Sequence, residues 1–167
     1  MYFLIDPRNL NNNQNTDNEF QSLIENNALK VNFSMLTSFI RSIFYIGKGQ
    51  NGRPFDHFKN YYLDDEKVSI KKTQIKEIYK SGLSPMVLFA FCGLSNDEAI
   101  TRESLLIESL IDQLTNKKLE KCRMVLSKRQ RDVLSAYFVF KAFIMFQIDG
   151  GTAVKMISNK KESENDD

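Results

Sequence analysis

The chain carries a single histidine, and the residues leading up to it are the ones a phosphate chemistry would use. From Ile43 to Phe58, IFYIGKGQNGRPFDHF, a short apolar strand with Tyr45 runs into Gly47, Gly49 and Gly52 and then into Arg53 and His57. Glycine lets backbone N–H groups approach an anion closely, so the order of strand and turn, centred on Gly47, Lys48 and Gly49, predicts a phosphate site. Arg53 and His57 are four residues apart and would share one face of a helix starting at the turn. Tyrosine, arginine and histidine then converge beside a loop suited to phosphate.

A glutamate supplies the second candidate. Ser95 with Glu98 three residues on forms a capping box and predicts a helix running to about Leu114. Its apolar stripe passes through Ala99, Leu106, Ile107, Leu110 and Leu114, and at about 100° per residue Glu103 falls roughly 40° from Ala99, inside that stripe. A buried carboxylate costs several kcal/mol unless it is paired or holds a cation. Two partners remain open at this point: Arg102 or another cation in an ion pair, or a divalent metal in the cleft between this helix and the glycine turn.

The elements that must position these groups can be placed from pattern. Tyr2 to Ile5 is a four-residue apolar run stopped by Asp6 and Pro7, which predicts a buried strand. The asparagine-rich stretch from Asn9 to Asn18 offers many local turn bonds and little to bury, so it reads as a loop. Leu36, Phe39, Ile40 and Ile43 recur at three- and four-residue steps and predict a helix leading into the Tyr45 strand. A second helix runs from Ser69 to Gly82, and Met86 to Phe91 makes a third strand. Residues 132–148 are apolar on nearly every face but contain Lys141 and Gln147. They are too short and polar for a membrane span, and predict a buried helix or a docking face through which the chain could self-associate.

Composition narrows the class. At 167 residues and 42% apolar content the chain suits one domain with one ordinary core. The net charge is only +2, yet Lys117, Lys118, Lys121, Arg123, Lys128, Arg129 and Arg131 face one glutamate, Glu120, in a single short stretch. Such a run is either a solvated face or a patch for a polyanion. Cys92 and Cys122 show no metal-ligand spacing, and Met1 is followed by no basic segment with an apolar core. An intracellular protein, of nucleus or cytoplasm, is the expectation.

Taken together, Tyr2, Tyr45-Ile46-Gly47, Arg53, His57, and Glu103 followed by Leu106 and Ile107 resemble the GIY-YIG endonuclease superfamily in order and spacing. Of its first motif only the tyrosine, Tyr2, is present. Asp6-Pro7-Arg8, the segment from Phe33 to Ser42 and Leu114-Thr115-Asn116 are similar to the nuclease domain of the animal ankyrin-repeat and LEM-domain DNA endonucleases. The resemblance implies an α+β fold: a small, three-stranded, mainly antiparallel sheet flanked by helices, with a helical insertion between the first two strands and an extra C-terminal helix. It places a nuclease domain at residues 1–150 with an insertion of loop plus helix at 9–42, and the charged composition of the chain's end predicts a disordered tail at 151–167.

The same resemblance implies an endodeoxyribonuclease that hydrolyses phosphodiesters of branched or distorted DNA, with no membrane partner. Glu103 would hold one Mg²⁺ or Mn²⁺, Arg53 would stabilise phosphoryl charge, and Tyr45 would act as general base with His57 accepting its proton and Tyr2 orienting the water or supporting Tyr45. Lys48, Lys71, Lys72, Lys117 and Lys118 would contact DNA phosphates, and Asn116 would tie the metal helix to the sheet. Two other classes are a catalytically silent DNA-binding module and a protein-interaction module built on 132–148. Gly47, Gly49 and Gly52 also fit the G-x-G-x-x-G of a dinucleotide fold. Too few residues separate Gly52 from Tyr61 and Tyr62 for the helix such a unit needs.

Overall fold

A computed structural model of the protein describes residues 1–10, 33–49, 52–59, 69–116, 122 and 124–155. Its elements run β1 (Tyr2–Ile5), a 3-10 turn (Pro7–Asn9), α1 (Phe33–Ser42), β2 (Ile43–Gly47), a second 3-10 turn (Phe55–Phe58), α2 (Ile70–Lys80), β3 (Met86–Phe89), α3 (Asn96–Leu110), α4 (Lys128–Asp149) and β4 (Thr152–Ala153). The fold is the mixed α/β type expected from sequence, with every strand pair antiparallel and the order β2-β1-β3-β4. Three strands are expected from pattern, and the structure corrects this to four. The added strand, at two residues, is too short to show an alternation, and pairs Met86 with Ala153 and Val87 with Thr152. It begins inside the stretch assigned to the tail; the tail from residue 156 on, the asparagine-rich segment from residue 11 and the predicted phosphate ligands Lys117 and Lys118 lie outside the described residues.

β1 lies inside the sheet and all four of its residues are buried. Phe3 and Ile5 point into a core built with α1, α3 and α4, while Tyr2 and Leu4 point into a smaller one built with α2 and the second 3-10 turn. A strand covered on both faces has no solvent side to alternate toward, which is why YFLI reads as one apolar run.

β2 departs from regular alternation. Leu4 pairs with Tyr45 but Ile5 pairs with Ile43, so the register slips by one residue and Phe44 is left without an opposite number. The slip puts Phe44 and Tyr45 on the same side, against α2, while Ile43 and Ile46 both face the larger core. An extra residue in one strand re-aims the side chains beyond it; here it turns Tyr45 onto the face that carries Tyr2.

The outer edge of β2 is covered by the chain that leaves α3. The Thr115 N–H and hydroxyl both donate to the Phe44 carbonyl, at 2.7 and 2.9 Å. Asn116 then accepts from the Ile46 N–H at 3.0 Å and donates to the Ile46 carbonyl at 2.8 Å. A side-chain amide thus completes the ladder as a neighbouring strand would.

α4 starts four residues before the apolar run expected from sequence, because Ser127 and Gln130 make a capping box. Lys128, Arg129 and Arg131 therefore sit in its first turn. The helix buries a single stripe through Ser135, Phe138, Val139, Ala142 and Phe143, leaving Val133, Tyr137, Phe140 and Ile148 exposed. No helix among the described residues is long and apolar enough to cross a membrane.

Candidate active site

The site forms at the end of β2, where Gly47 stands opposite Tyr2 in the ladder. The Tyr2 ring lies across β2 at that point, and a Cβ on Gly47 would overlap the phenol. A Cβ on Gly49 would come within 2.7 Å of the Arg53 Cδ. These two glycines admit side chains of the site itself to the backbone. The Lys48 N–H is directed to Glu103 Oε1, at 2.9 Å.

His57 lies at the centre of the cluster. It falls in the four-residue 3-10 turn Phe55–Phe58, which follows Pro54, and not in an α-helix. Arg53 lies before this turn, so the shared helix face expected from sequence does not form and is corrected here. His57 Nε2 is 2.7 Å from the Tyr2 hydroxyl and Nδ1 is 2.8 Å from Lys71 Nζ. The Tyr45 ring meets His57 edge-on with centroids 4.8 Å apart and lies near the Tyr2 ring at 6.3 Å. Lys71 Nζ also sits 4.2 Å from the centroid of the Tyr45 ring. The phenol joined to His57 in the structure is thus that of Tyr2, whereas the Tyr45 ring only packs against it.

Lys71 is half-buried because it lies on the same face of α2 as Ile75 and Ile78, both of them fully buried. That inward position is the feature sequence reasoning missed. Its signal is the stripe itself, since Lys71 shares a helix face with Ile75 and Ile78 as Glu103 does with Ala99 and Leu106. Lys72 is on the same first turn, its N–H donating to the Ser69 cap.

Burial sets the protonation of the cluster. It pushes His57 down to about 4, helped by the charges of Lys71 and Arg53, and pushes Lys71 down to about 8. The imidazole is therefore neutral at pH 7. Both phenols are raised, chiefly by burial. For Tyr45 the Glu103 charge adds to the rise, while the neighbouring Tyr2 side chain and the charge of Arg53 oppose it. Of the two, Tyr45 is the one whose anion its neighbours favour.

Glu103 is 9% exposed and reaches the glycine turn. Arg102 turns elsewhere: its guanidinium lies 5.3 and 5.2 Å from the Phe91 and Phe138 ring centroids and 4.0 Å from the Glu98 carboxylate. Among the described residues no three His, Cys, Asp or Glu side chains gather as a metal cluster. A single carboxylate still suits Mg²⁺, which keeps most of its water and shares substrate phosphate oxygens. The exposed Arg53 lines, with Lys48, Gly49, Phe89, Phe91 and Leu94, an open groove of about 520 Å³ beside this carboxylate's helix.

The LEM-3-like GIY-YIG domain model matches residues 1–161. The chain is 30% identical over 160 residues to the Homo sapiens ankyrin repeat and LEM domain-containing protein 1, covering 89% of this chain and 24% of that protein. It is 33% identical over 124 residues to the Caenorhabditis elegans homolog of that protein, covering 70% of this chain and 15% of the relative. The Mus musculus protein of the same name is 32% identical over 125 residues, 69% of this chain and 23% of its own. The chain thus spans a quarter or less of the length of these curated relatives. No solved structure matches it.

Proposed function

We propose, from the premise that this chain belongs to the LEM-3-like GIY-YIG domain family, that it is a nuclease domain hydrolysing DNA phosphodiester bonds, selective for branched or distorted duplexes. One observation carries the reading: a single turn of backbone, Gly47 and Lys48, takes the Tyr2 phenol across one residue and a buried glutamate on the next. Proton-handling groups and a charged carboxylate are thereby brought to one spot.

In this reading Tyr45 takes the proton of the attacking water, its phenolate supported by the Tyr2 hydroxyl and by the positive charge of Arg53. Arg53 rises from an exposed turn into the groove, where its guanidinium fork meets phosphoryl oxygens as their charge grows. Glu103 would hold one divalent cation, Mg²⁺ or Mn²⁺, which when bound would neutralise charge on the phosphodiester and on the departing oxygen and offset the carboxylate charge felt by Tyr45. His57, being neutral, orients the Tyr2 hydroxyl without adding charge. Lys48 and Lys72, with Lys117 and Lys118, supply phosphate contacts, so binding falls steeply with salt and carries little sequence preference. Asn116 holds the strand that bears Tyr45.

Branched and supercoiled DNA, incubated with Mg²⁺, with chelator, and with the Glu103→Gln variant, provides the test. Nicking by the unaltered chain in Mg²⁺, lost in the other two arms, is expected; binding without any nicking in metal would leave only a silent DNA-binding module. A second reading, an interaction module, draws on the exposed stripe Val133, Tyr137, Phe140 and Ile148 of α4. It requires concentration-dependent self-association in sedimentation that Phe140→Asp abolishes.

A further inference from the structure

Three hydrogen-bonding groups stand in series behind Tyr45: Lys71, His57 and Tyr2, joined at 2.8 Å and 2.7 Å. Their donors and acceptors are not interchangeable. An ammonium group has three donors and no acceptor, and a neutral imidazole has one of each. If Lys71 donates to Nδ1, that nitrogen is bare and the ring proton sits on Nε2, facing the Tyr2 oxygen. The Tyr2 oxygen is then an acceptor toward His57, and its own proton is left for another partner. The opposite tautomer would aim an N–H at an ammonium and draw the Tyr2 proton to Nε2.

We propose that Lys71 is a positioning residue: by donating to Nδ1 it fixes His57 as the Nε2–H tautomer, which makes the Tyr2 oxygen an acceptor toward His57 and leaves the Tyr2 hydroxyl proton for a partner other than His57. The inference rests on the nuclease reading for its catalytic meaning but not for its geometry. It also removes Lys71 from the phosphate-binding set, since a lysine half-buried on the Ile75–Ile78 face, with its amine on an imidazole and over a phenol ring, is turned into the domain. The charged and titratable groups acting on the His57 ring are Lys71 from α2, Arg53 from the turn before it, Asp56 from its own 3-10 turn, and Tyr2 and Tyr45 from the sheet. Of these only Lys71 and Tyr2 are hydrogen-bonded to its nitrogens. The depressed affinities of His57 and Lys71 for protons agree with a buried donor held against a neutral ring.

Because the sequence has one histidine, the test needs no assignment. The full chain, labelled with ¹⁵N at histidine, is placed at neutral pH without metal or DNA, in a long-range ¹⁵N–¹H experiment that separates bare from protonated ring nitrogens. The Nε2–H pattern is expected, moving to a tautomer average or to Nδ1–H in Lys71→Met and returning in Lys71→Arg. An Nδ1–H pattern in the unaltered chain overturns the proposal, as does an unchanged pattern in Lys71→Met.

Cleavage supplies the second arm. Lys71→Met is expected to lower kcat roughly 10- to 100-fold, as losing a hydrogen-bond partner that orients a metal-ligating histidine does, with KM and the salt slope kept. A phosphate-binding lysine would instead raise KM and reduce the salt slope by about 1, and that result overturns the positioning role. A chain that shows the Nε2–H pattern yet cuts no DNA supports the tautomer assignment and removes the nuclease reading.

Discussion

Gly47 carries no side chain because the Tyr2 ring occupies the space one would need. Gly47→Ala is therefore expected to cost about 1–3 kcal/mol of stability, as overpacking does, read as a lowered denaturant midpoint. It should also shift the His57 ¹⁵N resonances, because Tyr2 cannot move without altering its bond to Nε2. His57 itself makes a pH prediction. Its folded value is depressed to about 4 by burial and by Lys71 and Arg53, against about 6.5 for an unperturbed imidazole. Between those values the unfolded chain holds more protons than the folded one, so stability rises with pH there and is lost as pH falls from about 6.5 toward 4. Denaturant unfolding at pH 7 and at pH 5 should show a loss that His57→Gln reduces, and an NMR titration should find the ring neutral at pH 5.5.

Each element contributes a different kind of support. Asn116 satisfies both backbone groups of Ile46 on the outer edge of β2. Asn116→Ala should cost about 1–3 kcal/mol, the cost of leaving such groups unpaired, and should speed hydrogen exchange of the Ile46 amide. Asn116→Asp keeps the acceptor and loses the donor, so it should fall between the two. β1, α1, β2, α2 and α3 could all be placed from sequence, because stripe, cap and apolar run are local signals and Ser95 and Ser69 mark real helix starts. What escaped depends on pairing between distant segments. The slip at Phe44 exists only against β1, and β4 exists only against β3. The start of α4 is a different case: Ser127 and Gln130 have capping-box spacing, but the basic residues between and after them give the stretch the look of a plain charge run. For the candidate site, the types and order of Tyr2, Tyr45, Arg53, His57 and Glu103 could be read off, whereas the contacts among them could not. The place of Lys71 on the buried face of α2 is legible in that stripe, while its charge alone points to phosphate.

At the scale of the molecule, the sheet separates two cores and the candidate site joins them around its end. Tyr2, Tyr45, His57 and Lys71 lie on the α2 side, while Glu103 comes from α3 on the other and reaches past β2 to the Lys48 N–H. Stability and site geometry should therefore be separable by position. Phe39 is fully buried in the larger core, with its ring 5.6 Å from Phe143 and 5.2 Å from Phe146. It belongs to a different cluster from Tyr2, Tyr45 and Phe58. Phe39→Ala should cost about 3–5 kcal/mol through lost transfer energy and the cavity left behind, which lowers Tm by many degrees. Below that Tm the His57 ¹⁵N pattern and the cleavage rate should match the unaltered chain, because the cavity opens behind the sheet. Gly47→Ala should do the reverse, with a smaller loss of stability and a larger loss of cleavage. If Phe39→Ala disturbs the His57 pattern as much as Gly47→Ala does, the sheet does not insulate the two faces, and the site must be described as a property of the whole packed domain.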